Sequence, residues 1–120
     1  MGLNPLQNLT VAVVGGDERE LVLIPALVEQ GAKVRAVGFP RLPQLEGAEV
    51  VADLQSAVQG ADVVILPMPG TDGQGVVHAV YSSSPLVLTE EVATNISRGT
   101  VVFIGQARSY LKKWALRYGW

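Results

Sequence analysis

The sequence of 120 residues contains no cysteine, which excludes disulfides, thiol chemistry and cysteine-based metal sites. Its one histidine, His78, has no second histidine at ligand spacing, so we expect no metal site. Charge is also scarce, since only 17% of the residues are charged and 9 basic residues stand against 11 acidic ones. With a net charge of −2 and no basic stripe, the chain lacks the electrostatic footprint of a nucleic-acid-binding protein.

Long apolar segments are missing as well. Hydrophobic residues make up 48% of the chain, but they occur in short runs that cannot span a membrane. The N-terminal MGLNPLQN has no basic segment before an apolar stretch, so we predict no secretory signal. The composition is too apolar for a disordered chain, and a chain of this length buries about two-thirds of its surface. We therefore predict one soluble domain over residues 1–120, in the cytoplasm, where proteins without disulfides are usual.

Short β-branched runs alternate with amphipathic helical patterns along the chain. Strands are predicted at residues 9–14, 33–37, 63–66 and 100–104, and helices at residues 18–30, 90–96 and 107–118. The run at 63–66 predicts a central strand covered on both faces, and the run at 100–104 predicts a last buried strand. The alternation predicts an α/β fold, a doubly wound and mostly parallel sheet in a flavodoxin-like or Rossmann-like three-layer sandwich.

Three segments are less regular. Residues 38–60 carry prolines without a clear period and are predicted as a loop, with a short strand at 49–52 and a brief helix capped by Asp53. Residues 75–88 fit a small hairpin or extended excursion, although the part after Gly75 also fits a helix. Pro25 falls inside the first predicted helix, where we expect it to bend the axis without breaking it.

A glycine turn follows the first strand and opens the first helix, as it does in dinucleotide-binding folds. The order here is GGDERE, however, so the G-x-G-x-x-G pattern is absent. Three acidic side chains crowd the helix end where a pyrophosphate would bind, and the second strand ends without an acid for a ribose. We therefore predict no dinucleotide at this turn. Asp17 and Glu20 have instead the spacing of a capping box.

Arg19 lies in the first turn of that helix, and a glycine-rich loop, PGTDGQG, follows the central strand. If these two strands are neighbours, both elements reach the same crevice at the carboxyl end of the sheet. The guanidinium could then clamp a small carboxylate while loop amides and the Thr71 hydroxyl complete the pocket. In the alternative, Arg19 pairs with neighbouring acids on the surface, and the sequence does not separate the two. His78 likewise fits either a packing role or acid/base chemistry.

Four ordered blocks carry a resemblance to a known family: VAVVGGDERELVLIPAL, AVGFPRL, VILPMPGTDGQGVVHAVYSSSPLVL and VVFIGQARSYL. From residue 10 to residue 111 the chain resembles the N-terminal domain of the A subunit of dipicolinate synthase. The resemblance implies a part in the NAD(P)-dependent oxidation of dihydrodipicolinate to dipicolinate in spore formation, with the B subunit of dipicolinate synthase as partner. It also implies a wall of an interdomain cleft that binds a small dicarboxylate, formed by Gly15, Gly16, Asp17, Arg19, Thr71, Gly73 and Gly75.

In that family the domain precedes a dinucleotide-binding domain, and this chain ends at Trp120. We therefore expect NAD(P) to be held by the second domain and not by this one, and no dehydrogenase activity from these residues alone. The resemblance further implies the cytoplasm of the mother cell of a spore-forming bacterium, and we expect a homo-oligomer. Two other classes stay open: an assembly module whose apolar surface docks a second domain or copy, and a stand-alone small-molecule-binding domain.

Overall fold

A five-stranded parallel sheet forms the centre of the computed structural model, which describes residues 6–67, 71–104 and 109–120. The strands are β1 (Thr10–Val14), β2 (Lys33–Val37), β3 (Glu49–Val51), β4 (Val63–Ile65) and β5 (Val101–Phe103). They lie in the order β3-β2-β1-β4-β5, and every pairing between them is parallel. The predicted doubly wound sheet is confirmed. β1 and β4 are neighbours, which was the condition for Arg19 and the loop after β4 to reach one crevice. The strand order reverses between these two strands, which is where folds of this kind place a ligand crevice.

The described residues form four helices and one 3₁₀ turn: α1 (Glu18–Glu29), the 3₁₀ turn (Pro43–Leu45), α2 (Leu54–Val58), α3 (Glu90–Thr94) and α4 (Ser109–Tyr118). The predicted capping box of Asp17 and Glu20 starts α1, which continues through Pro25 without a break. The predicted caps Asp53 and Thr89 accept backbone N–H groups at the starts of α2 and α3. The predicted start of the last helix, at residue 107, lies outside the described residues. None of the described helices has the length and apolar character needed to cross a membrane.

The two faces of the sheet bury different side chains, because neighbours along a strand point in opposite directions. Ala12 and Val14 of β1 belong to a core shared with α2, α3 and α4, in which Leu111 is fully buried. Val11 of β1 belongs to a second core, which it shares with Ile24 of α1. Three helices thus cover one face of the sheet, whereas α1 and the 3₁₀ turn cover the other.

The face of the sheet that α1 covers elsewhere is left uncovered along β5. Val102 and Ile104 pack against the core that the three helices cover, but Val101 and Phe103 are exposed, Phe103 by 57%. The prediction of a last buried strand is therefore wrong, because β5 is an edge strand with one bare apolar face. β4 is an interior strand, between β1 and the edge strand β5, whereas β1 is the middle strand of the sheet. The prediction that β4 is covered on both faces is wrong, since Ile65 is only half-buried on the side of α1.

Residues 71–88 form an extended excursion between β4 and α3. An antiparallel bridge between Val76 and Val87 holds its two arms together. A parallel bridge between Ala79 and Gly16 ties the excursion to the end of β1. Of the two alternatives for this segment, the extended form is confirmed and the helix is not formed.

Candidate ligand crevice

A groove opens at the carboxyl end of the sheet, between the start of α1 and the ends of β4 and β5. Its volume is about 480 Å³. The lining is apolar apart from two residues of the first helical turn, and it consists of Arg19, Glu20, Leu23, Ile65, Leu66, Phe103 and Ile104. The groove lies beside the point where the strand order reverses, which is the place where doubly wound sheets bind their ligands. The groove therefore has apolar walls, with one cationic side chain, Arg19, and one acidic side chain, Glu20, in its lining.

The two glycines of the β1–α1 turn allow another segment to pass directly against it. Gly15 has φ 61°, and a methyl group at this position would lie 2.7 Å from the carbonyl oxygen of His78. Gly16 donates its N–H to the same oxygen at 2.7 Å. A methyl group at Gly16 would collide with the Glu20 carboxylate, which accepts the N–H of Asp17 at 2.9 Å. Gly15 is thus explained by the close packing of this turn against the excursion, and Gly16 by the position of the Glu20 carboxylate.

Asp17 and Arg19 form a two-point ion pair in this turn. Arg19 Nε donates to Asp17 Oδ1 at 3.0 Å, and Arg19 Nη2 donates to Asp17 Oδ2 at 2.8 Å. Hydrogen bonding from Arg19 holds the pKa of the Asp17 carboxyl far below its usual range, and the same contact raises the pKa of the Arg19 guanidinium. The surface pairing that the sequence left open is therefore present. It uses two of the five N–H groups of a guanidinium whose side chain remains 54% exposed.

The loop residues predicted for the site differ in their surroundings. Thr71 is 2% exposed, and its hydroxyl is hydrogen-bonded to that of Tyr110 in α4. A methyl group at Gly75 would lie 2.8 Å from the carbonyl oxygen of Leu88, so this glycine permits packing inside the excursion. Gly73 has open space around it. None of the three predicted loop residues is among those that line the groove with Arg19, and their role in binding stays a prediction.

Sequence reasoning found Arg19 but missed the apolar wall of the groove. Leu66 and Ile104 follow β4 and β5 at the carboxyl edge of the sheet, and that position is a signal that could have identified them. Phe103 carried no such signal, since its exposure depends on which helices cover β5. Residues 68–70, which belong to the predicted loop, lie outside the described residues.

The first βα turn does not fit a dinucleotide. The Asp17 side chain accepts backbone N–H groups of the first helical turn, and the Glu20 side chain accepts the backbone N–H of Asp17. A pyrophosphate would have to displace both carboxylates to reach the helix N-terminus. The turn is therefore occupied by its own capping side chains, and the location of NAD(P) stays a prediction. Across the described ranges, no group of three histidine, aspartate or glutamate side chains is arranged to hold a metal ion.

The fold and the crevice together define a class of protein, a doubly wound α/β domain with a cation beside the point where its strand order reverses. Residues 10–120 match the family described as the N-terminal domain of the dipicolinate synthase A subunit. The chain belongs to this family. It is 35% identical over 108 residues to the A subunit of dipicolinate synthase from Bacillus subtilis (strain 168), and the match covers 89% of this chain and 36% of that protein.

Solved structures of the same synthase polypeptide share the fold. The structure from Bacillus subtilis has a TM-score of 0.82 at 36% identity, covering 94% of this chain and 38% of that one. The structure from Bacillus halodurans has a TM-score of 0.81 at 30% identity, covering 94% and 39%. The chain thus spans between 36% and 39% of the length of these relatives. A D-isomer specific 2-hydroxyacid dehydrogenase from Lactobacillus delbrueckii, complexed with NAD, shares the fold alone, at 19% identity and a TM-score of 0.66 over 93% of this chain and 33% of that one.

Proposed function

We propose that this chain forms one wall of the substrate cleft of a dipicolinate synthase. In this proposal the enzyme oxidises dihydrodipicolinate to dipicolinate in the mother cell of a spore-forming bacterium, with NAD(P) held by a second domain and with the B subunit of the synthase as partner. Membership of the family supports the enzyme class. The groove at the end of the sheet supports the binding role, because it offers a cation and apolar walls to a small dicarboxylate.

The half-exposed guanidinium of Arg19 is the observation that carries the proposal. Two of its N–H groups are bound to Asp17, and the other three have no hydrogen-bond partner among residues 6–67, 71–104 and 109–120. Because Asp17 occupies the Nε side, a ligand carboxylate would meet the guanidinium through Nη1 and the second hydrogen of Nη2. This edge of the group presents two parallel N–H bonds, which match the two oxygen atoms of a carboxylate.

The apolar wall suits a flat ring attached to that carboxylate. Ile65, Leu66 and Phe103 line the groove beside Arg19, and Phe103 offers an aromatic face. A ring seated against this wall would displace water from it and strengthen the attraction between the guanidinium and the carboxylate. The volume of about 480 Å³ lies within the range of small-molecule sites, about 300–1,000 Å³.

Titration of pyridine-2,6-dicarboxylate into the protein tests this proposal. The Arg19→Gln variant is expected to bind at least about tenfold more weakly, because it loses the charge and the two-point hydrogen bonding of the guanidinium. Calorimetry measures the affinity, and amide chemical shifts locate the ligand, with the largest changes expected near Arg19 and Leu66.

Arg117→Gln is the matched control for this experiment. Arg117 is an exposed arginine that also pairs with a carboxylate, donating to Glu90 at 2.7 Å, but it does not line the groove. Its removal changes the net charge by the same amount and is expected to leave the affinity unchanged. Equal losses in the two variants, or shifts scattered away from the groove, would contradict the proposal.

Self-association is a second candidate function, which the bare face of β5 favours. Phe103 and Val101 are more than half exposed on an edge strand, next to the half-buried Ile65 of β4. Apolar side chains grouped in this way are typical of surfaces that dock another protein chain. A second copy of the domain would cover them and also bury the adjacent sheet edge.

Sedimentation velocity at increasing protein concentration distinguishes this candidate. If β5 mediates dimers, the wild-type protein will dimerise and Phe103→Glu will stay monomeric, because a carboxylate cannot be buried unpaired in an apolar interface. Leu116→Glu is the control, since Leu116 is exposed on α4, away from β5. A wild-type protein that stays monomeric at every concentration would rule out this function.

A further inference from the structure

His78 lies next to the carboxylate that holds Arg19. Its Nε2 atom is 3.2 Å from Asp17 Oδ2, the same oxygen that accepts from Arg19 Nη2 at 2.8 Å. Asp17 is therefore shared between two basic side chains. Arg19 borders the groove, and His78 lies in the excursion, 61 residues beyond Asp17.

Backbone pairing fixes this position of His78. The carbonyl oxygen of His78 accepts the N–H of Gly16 at 2.7 Å, and Val80 donates its N–H to the Gly16 carbonyl at 2.9 Å. These two bonds hold the excursion parallel to the end of β1, one residue before Asp17. The backbone that carries the imidazole is thus held in place by two hydrogen bonds. About a third of the His78 side chain stays accessible to solvent and to protons.

We propose that His78 is a positioning residue which sets, through Asp17, the strength with which Arg19 attracts an anion. The inference rests on the proposed binding of a dicarboxylate by Arg19. With a neutral imidazole, the charges of Arg19 and Asp17 cancel. When His78 takes up a proton, the group of three gains one positive charge, and Asp17 is drawn partly away from the guanidinium. Both effects favour a ligand carboxylate at the free edge of Arg19.

The sign of the effect follows from the ionisable groups near His78 in the part of the chain that the structure describes. Within the excursion, residues 75–77 pair with residues 71–72 and 86–88, of which Asp72 is the ionisable one. The excursion also contacts the β1–α1 turn and, through the Tyr110 hydroxyl, α4. The β1–α1 turn and the first turn of α1 carry the ionisable residues Asp17, Glu18, Arg19 and Glu20. Of these, Asp17 is the one in contact with the imidazole. Protonation of His78 is therefore expected to strengthen anion binding as the pH falls.

An NMR titration without ligand tests whether His78 acts on Arg19. In the wild-type protein, the NMR signal of the Arg19 Nε–H group is expected to shift as the pH is lowered, with the same midpoint as the ring protons of His78. In His78→Gln, whose amide can still donate a hydrogen bond but cannot titrate, the shift should disappear. An Arg19 signal that does not follow His78 in the wild-type protein would overturn the inference.

Measurement with pyridine-2,6-dicarboxylate then tests the consequence for binding. The wild-type affinity is expected to rise about fivefold from pH 8 to pH 6, which corresponds to roughly 1 kcal/mol of added attraction. His78→Gln should bind with the same affinity at both values, and an unchanged pH dependence in this variant would overturn the inference. If the wild-type protein does not bind the probe, the proposed function fails, whereas the ligand-free shift still decides whether His78 acts on Arg19.

Discussion

The Gly15→Ala variant is expected to lose about 3 kcal/mol or more of its free energy of unfolding, because two separate costs act at this position. The backbone has φ 61°, where any residue with a Cβ atom is strained. The new methyl group would also lie 2.7 Å from the carbonyl oxygen of His78. That oxygen belongs to the backbone and is already bonded to the N–H of Gly16, so it cannot turn away as a side chain would.

Gly60→Ala separates these two costs. Gly60 has a similar φ of 72°, but a methyl group there would have nothing within 4 Å. Only the backbone strain remains, so this control is expected to lose about 1 kcal/mol. Denaturant unfolding measures both variants, and equal losses would show that the excursion does not pack against the glycine turn. A methyl group at Gly15 would also displace His78, whose contact with Asp17 depends on the same packing.

The parts of the fold that could be predicted from the sequence are those set by near neighbours along the chain. Asp17 and Glu20 are three residues apart and cap α1 as predicted. Asp53 and Thr89 likewise cap the helices that directly follow them. The exposure of Phe103 could not be predicted in this way, because it depends on the number of helices that cover each face of the sheet. A run of apolar residues indicates a strand, but not which of its faces is buried.

The candidate site likewise has features that could be predicted from the sequence and features that could not. Arg19 was identified because a helix that follows the first strand of such a sheet must begin at the crevice. Its bidentate pairing with Asp17 was one of two open alternatives, and the choice depended on rotamers that the sequence does not specify. The contact of His78 with Asp17 spans 61 residues, and that of Thr71 with Tyr110 spans 39. Contacts of this kind follow from the path of the excursion and the packing of α4, which become visible only in the folded chain.

Leu111→Ala is expected to cost about 3 kcal/mol, within the range for removing a fully buried leucine. Leu111 is the buried residue through which α4 joins the core on the three-helix side of the sheet. The preceding residue, Tyr110, donates its hydroxyl to the carbonyl oxygen of Asp72 at 2.9 Å, and so connects α4 to the loop after β4. A cavity at Leu111 should therefore loosen that loop as well, and amide exchange at Gly75, whose N–H donates to the same carbonyl group at 3.2 Å, should accelerate.

Leu116→Ala, in the same helix, is the matched control for this variant. Leu116 is 87% exposed, so the same change of side chain removes almost no buried surface and should alter the free energy of unfolding by less than about 0.5 kcal/mol. Both substitutions raise the helix propensity by the same amount, so any difference between them comes from packing. If the two variants unfold at the same denaturant concentration, α4 does not dock through Leu111. If only Leu111→Ala is destabilised but exchange at Gly75 is unchanged, the contact from Tyr110 does not hold the loop.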